Sequence, residues 1–270
     1  MAEVLPLGPS DGATDEIGAR EQAFWDAHVP SLASLLRKYE AGPDANTEAM
    51  LEAVAPVRGR RVLDFACGAG VTAAFLAQRG ARVTAIDISP ESVRRGRELA
   101  ARAGLEIEFI AGELTPATFA AESFDAIVGH YALHHVNLNV IAPIFDEILC
   151  AGGRAAFVET MGLNPLLNFS RNRIAGRAGV ASYGSEDEHP LERSDLRILE
   201  RWIGPVELMC GELRFLRILD RNVLRYRHPL LSKILAAIDD TLLRLGAGAL
   251  SYHQVVKLTK RAPLDSQPPV

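Results

Sequence analysis

The run Val62-Leu63-Asp64-Phe65-Ala66-Cys67-Gly68-Ala69-Gly70-Val71-Thr72 ends an apolar stretch in an acid and continues through small residues. Small residues let a backbone pass close to a ligand that side chains would hold off. A second apolar stretch, Val83-Thr84-Ala85-Ile86-Asp87-Ile88, also closes on an acid. An ionised carboxylate can accept hydrogen bonds from two vicinal hydroxyls, the pair that a ribose presents. Singly, each piece has a structural explanation. Glycines serve a strand–helix junction, Asp87 can cap a helix starting near Pro90, and Glu113 can be an ordinary solvated acid. Together and in this order they point to a ligand that contains a nucleoside.

A second constellation follows at Gly129-His130-Tyr131-Ala132-Leu133-His134-His135-Val136. A strand ending here delivers His130 and Tyr131 to its C-terminal edge, where imidazole can accept a hydroxyl proton near neutral pH. His130 is the first candidate for a general base and Tyr131 an alternative. His134 and His135 are expected to support the following turn or helix. Further on, Asn168, Arg171, Arg173, Tyr183 and Glu186-Asp187-Glu188-His189-Pro190-Leu191 lie in a Gly/Pro-rich segment suited to a substrate cover. His189 is the second candidate base.

These residues need a scaffold, and the patterning supplies one. Short β-rich runs at 62–66, 83–88, 107–111, 126–129 and 155–159 alternate with helical patterns at 71–79, 90–103 and 138–149. Crossover helices return each strand parallel to the one before, so the fold class is α/β with a doubly wound, mostly parallel sheet. Two further strands are expected near 206–210 and 252–259, making seven. Helices are expected upstream at 19–39 and 46–54, and after the fifth strand at 194–202 and around the stripe Leu231, Ile234, Leu235, Ile238, Leu242, Leu245. That stripe is expected to pack on the sheet, with an apolar acceptor pocket or a membrane surface as alternatives. The chain divides into a leader and helical cap at 1–57, a ligand-binding core at 58–160, an acceptor-side insertion with the last strands at 161–261, and a disordered tail at 262–270.

Bulk properties narrow the function classes. With 48% hydrophobic residues in 270, the chain can bury a large core. Cys67, Cys150 and Cys210 are odd in number and lack metal-type spacing, which argues against a zinc site and for reduced thiols in the cytoplasm. The N-terminus lacks the form of a signal peptide, and no apolar run reaches spanning length. A net charge of −5 provides no global attraction to nucleic acid. The expected partner is a small-molecule acceptor, with no nucleic acid and with peripheral membrane contact not favoured.

Asp64 to Gly70, Asp87, Gly112-Glu113, Phe124-Asp125-Ala126-Ile127-Val128 and Gly152-Gly153-Arg154 resemble successive motifs of the class I S-adenosylmethionine-dependent methyltransferases. The resemblance covers about 58–159 and implies a Rossmann-like sheet with S-adenosylmethionine as cofactor. It implies cofactor contacts at Asp64, Ala66, Cys67, Gly68, Gly70, Asp87, Ile88, Gly112, Glu113, Leu114 and His130. Asp87 would take the ribose hydroxyls, Glu113 would lie near adenine, and the Gly68/Gly70 loop beside the methionine part. Ala66 stands where the family usually has its first glycine, and Glu113 where it commonly has Asp. The insertion is similar to N-P-x-x-N and D-E-H-P-L segments of some bacterial small-molecule methyltransferases. No metal is implied, and the Asn/Asp-Pro-Pro-aromatic tetrad of many amino-methylating nucleic acid enzymes is absent. The expected reaction is methylation, preferably on oxygen, of a hydrophobic or lipid-like small molecule. Gly68-x-Gly70-x-x-Ala73 also satisfies a relaxed dinucleotide fingerprint, so an NAD(P)-dependent oxidoreductase is the enzymatic alternative. A non-catalytic scaffold is the other.

Overall fold

The computed structural model describes residues 12–164, 190–213, 215–220 and 224–262. Seven strands, β1 (Arg61–Phe65), β2 (Arg82–Asp87), β3 (Ile107–Ala111), β4 (Phe124–His130), β5 (Leu149–Thr160), β6 (Val206–Met209) and β7 (His253–Thr259), form one sheet in the order β3-β2-β1-β4-β5-β7-β6. β7 pairs antiparallel with both β5 and β6, while the other pairings are parallel. The order reverses between β1 and β4. A crevice therefore opens beyond the C-terminal ends of these strands, the usual ligand position in open α/β sheets.

Both faces of the sheet are covered because side chains alternate along each strand. Val62, Val128 and Val158 face one core with Met50, Phe75, Leu76 and Leu99, whereas Leu63, Ile127 and Phe157 face a second core with Ile141, Phe145 and Leu199. The first layer holds α2 (Leu32–Ala41), α3 (Ala45–Ala53), α4 (Val71–Gln78) and α5 (Pro90–Ala103). The second holds α6 (Leu138–Ile148) and the helix Arg193–Trp202.

Three elements differ from the sequence expectations. The helix expected at 19–39 is two, α1 (Gly12–Ala27) and α2, because Pro30 offers no backbone donor and the Ser31 hydroxyl caps the Ser34 N–H at 3.3 Å. β5 starts at Leu149, with Gly152 at φ +71° turning the strand where side chains rarely go. The helix Pro229–Arg244 buries Asp239 and divides the expected stripe, leaving Leu231, Ile234, Ile238 and Leu245 exposed with Leu230 while Leu235 and Leu242 are half-buried. The 165–189 insertion and the tail from 263 lie outside the described residues.

Candidate active site

β1 carries Asp64 to the crevice, and the loop after it turns left-handed at Ala66 (φ 52°), Gly68 (φ 51°) and Gly70 (φ 69°) before entering α4. A Cβ on Gly70 would lie 2.7 Å from the Phe109 ring, so that glycine is a packing requirement. Gly68 and Gly112 differ: a Cβ on either would meet nothing within 4 Å, so open space adjoins the backbone at both.

Two acids flank that space. Asp87 ties the loop to the end of β2, one carboxylate oxygen accepting the Gly68 N–H at 2.7 Å and the other the Ser89 N–H at 2.9 Å. The cap of α5 is Ser89, whose hydroxyl accepts the Ser92 N–H at 3.0 Å, so Asp87 is not spent as a helix cap. Burial, with a contribution from Asp26, raises the Asp87 pKa. Asp64 is 1% exposed and neither of its oxygens has a hydrogen-bond partner. Burial pushes its pKa up to about 8, with the Asp87 charge adding to the rise. The Ala73 amide lies near enough to temper that rise without closing a well-aligned hydrogen bond. A buried carboxylate without a donor costs stability unless a ligand provides one. A nucleoside joined to an ammonium group suits Asp87 and Asp64 together. An anionic diphosphate has no use for the second acid.

The other cofactor candidates surround this space unequally. Ile88 is half-buried, and Leu114, next to Glu113 in the chain, is buried. The Cys67 thiol donates to the Gly68 carbonyl at 3.4 Å, and burial holds its pKa well above the usual thiol value. Glu113 sits under α1, since a Cβ on Gly18 would lie 2.8 Å from its Oε1. The same helix is pinned at Asp26, which accepts from the Ser89 hydroxyl at 2.6 Å and the Glu91 N–H at 3.2 Å. It meets the end of β4 through Glu21 and His135, 3.4 Å apart, and through the edge-on contact of Trp25 with His135. α1 therefore bridges the ends of β3, β2 and β4.

At the end of β4 the side chains are held by partners absent from the sequence motifs. His130 Nε2 lies 3.1 Å from the Thr47 hydroxyl, and burial lowers its pKa to about 4. Tyr131 has φ +56°, a strained backbone for an aromatic residue, and its hydroxyl lies 3.2 Å from His253 Nδ1. Glu159, fully buried at the end of β5, accepts the N–H groups of Ala132 at 2.8 Å and Leu133 at 2.7 Å and faces His134 Nδ1 at 2.7 Å. With Nδ1 committed to Glu159, His134 has Nε2 as its proton-accepting nitrogen. Trp25, His135, His134, Tyr131 and His253 form a row of rings with successive centroids 4.2 to 6.5 Å apart. His189 lies outside the described residues. Glu159, Thr47, His253 and the α1 contacts were missed. Of these, Glu159 carried a signal, an acid closing an apolar strand as Asp64 and Asp87 do.

Residues 62–151, from β1 to the start of β5, match the family described as a methyltransferase domain. Residues 62–151 therefore form a methyltransferase domain. This methyltransferase domain is 40% identical over 158 residues to the ubiquinone biosynthesis O-methyltransferase of Methylocella silvestris, covering 57% of this chain and 56% of that protein. It is 38% identical over 116 residues to the demethylmenaquinone methyltransferase of Clavibacter sepedonicus, covering 41% and 45%. The matched part spans about half the length of these relatives. Among solved structures it superimposes on geranyl diphosphate methyltransferase in complex with GPP and sinefungin at TM-score 0.59 and 14% identity, covering 90% and 99% of the two chains. The (4+2)-cyclase SpnF matches at TM-score 0.57 and 16% identity, covering 90% and 95%. Those two likenesses establish the fold. Among the described residues there is no group of His, Cys, Asp and Glu able to hold a metal ion, and no helix long and apolar enough to cross a membrane.

Proposed function

We propose that the chain transfers a methyl group from S-adenosylmethionine to a hydroxyl of a planar, aromatic small molecule. The observation that carries the cofactor half is the pair of acids around the left-handed loop, Asp87 bonded to Gly68 and Asp64 buried without a partner. Asp87 retains acceptor capacity for ribose hydroxyls, Asp64 would neutralise the cofactor's ammonium group, and Gly68 and Gly112 leave room for it. Ala66, Cys67, Gly70, Ile88, Glu113 and Leu114 complete the proposed cofactor contacts, with His130 at their margin.

When bound, that cofactor supplies a methyl group already activated by sulfonium, which forms a bond to the acceptor oxygen as the carbon–sulfur electron pair leaves with sulfur. The protein must align the acceptor and take its proton. His134 is best arranged for the second task, because Glu159 fixes its ring through Nδ1 and leaves Nε2 to meet the acceptor. His130, with its pKa near 4 and its contact to Thr47, is better suited to shaping the site than to holding a proton. The rings from Trp25 to His253, set largely edge to face, offer aromatic surface against which a flat acceptor can pack. The quinone-pathway names of the relatives support the same class. Domain limits follow this reading: a cap at 1–57, the cofactor core at 58–160 and the acceptor side at 161–261.

The test is methyl transfer from labelled S-adenosylmethionine to a panel of catechols, hydroquinones and primary amines. Labelled methyl ethers from the phenolic acceptors are expected. Transfer only to amines would overturn the acceptor class. Stabilisation by NAD, with none by S-adenosylhomocysteine, would overturn the cofactor.

A further inference from the structure

We propose that the outward face of the helix Pro229–Arg244 docks on an anionic lipid surface. The inward face of this helix is fixed by Asp239, which is fully buried and accepts the N–H groups of Leu216 and Arg217 at 2.9 to 3.0 Å. At about 100° per residue, Leu230, Leu231, Ile234, Ile238 and, just past the helix end, Leu245 fall within one arc that starts roughly 80° from Asp239, and they are exposed by 73%, 38%, 48%, 41% and 78%. Scattered exposed apolar side chains mean little, but three leucines and two isoleucines along one arc make an apolar stripe interrupted by Thr241 alone.

Charge selects the occupant. Arg227, Lys233 and Arg244 are exposed before, beside and at the end of the stripe. Both acids of the helix are engaged elsewhere, Asp239 inward and Asp240 with Arg217 at 2.7 Å. The face is thus apolar with a cationic margin, within a chain of net charge −5. That is the pattern of a helix lying in the headgroup layer of an anionic bilayer. A two-fold pairing of two copies through this stripe would set the cationic margins against each other. The helix also leads through Ala247–Leu250 into His253, beside Tyr131, so its C-terminal end connects to the edge where the parallel strands end. The inference rests on this helix alone and does not need the methyl-transfer reading.

The test is co-flotation of the full chain with vesicles of phosphatidylcholine alone or mixed with phosphatidylglycerol. Binding to the anionic vesicles, weakened by salt, is expected, with little binding to phosphatidylcholine. The double variants Ile234→Ser/Ile238→Ser and Lys233→Glu/Arg244→Glu alter only exposed positions. Each is expected to reduce binding by roughly 10-fold or more while keeping the melting temperature. Folded protein that ignores anionic vesicles, or binds them equally well in both variants, overturns the proposal. So does a dimer, seen by light scattering, that the Ile234/Ile238 variant dissolves in the absence of any vesicle binding.

Discussion

The backbone N–H of Gly68 donates to the Asp87 carboxylate at 2.7 Å, joining the loop after β1 to the acid that ends β2. Two motifs that read separately in the sequence are therefore one device, in which the residue proposed to bind the ribose also sets the loop. Asp87→Ala is expected to leave the Gly68 and Ser89 amides without acceptors, at about 1 to 3 kcal/mol in stability. Cofactor affinity is expected to fall at least about tenfold as the ribose contact is lost. Calorimetry with S-adenosylhomocysteine, beside a melting curve, separates the two effects. A lowered melting temperature with unchanged affinity would assign Asp87 to the loop alone.

Asp64 makes ligand binding and stability depend on pH. Its pKa rises from 3.8 to about 8, so between those values the native chain holds a proton that the unfolded chain releases. Stability from this group is present below pH 4 and is lost as the pH climbs toward 8. A ligand ammonium reverses the balance by favouring the carboxylate, and binding at pH 7 is expected to release close to one proton. Calorimetric titration of S-adenosylhomocysteine in buffers of different ionisation enthalpy measures that release directly. Asp64→Asn is expected to abolish it and to flatten the loss of stability toward pH 8.

Ala66 occupies the left-handed region at φ 52°, which costs an L-residue roughly 1 to 2 kcal/mol. Ala66→Gly removes that strain and gives back part of the gain through the greater freedom of the unfolded chain. A net stabilisation of about 0.5 to 1 kcal/mol is expected in chemical denaturation. A destabilised glycine variant would mean that the alanine methyl makes packing contacts worth more than the strain.

The parts of the molecule legible from the sequence are those with local causes. The strand–loop–helix run at Asp64–Thr72 needs small residues wherever its chain turns left-handed, and the acids closing β1 and β2 advertise themselves by interrupting apolar runs. Long-range partners leave no such mark. Thr47 meets His130 across 83 positions, and His253 meets Tyr131 across 122. The break between α1 and α2 was legible at Pro30 but outweighed by the apolar stripe continuing through it. The stripe at 231–245 has a helical period whichever way it faces. The burial of Asp239 sets its orientation, with Leu231, Ile234, Ile238 and Leu245 outward and Leu235 and Leu242 half-buried.

The histidines after β4 separate into a stability role and a rate role. His130, with a pKa near 4 in the folded chain against 6.5 unperturbed, must stay neutral to remain buried. Its contribution is present above pH 6.5 and is lost as the pH falls toward 4, because the unfolded state then binds the extra proton. His130→Asn is expected to blunt that acid loss of stability while leaving S-adenosylhomocysteine affinity within a few-fold of the parent. His134, held by Glu159, is expected to act on turnover instead. His134→Asn should lower single-turnover methylation by about 10² to 10⁴-fold without a matching fall in cofactor affinity. Glu159→Gln should lower both rate and stability, because one amide oxygen cannot replace the two carboxylate oxygens that serve Ala132, Leu133 and His134. If His134→Asn turns over at the parental rate while His130→Asn does not, the proton goes to His130, and the Glu159–His134 pair serves only to hold the turn after β4.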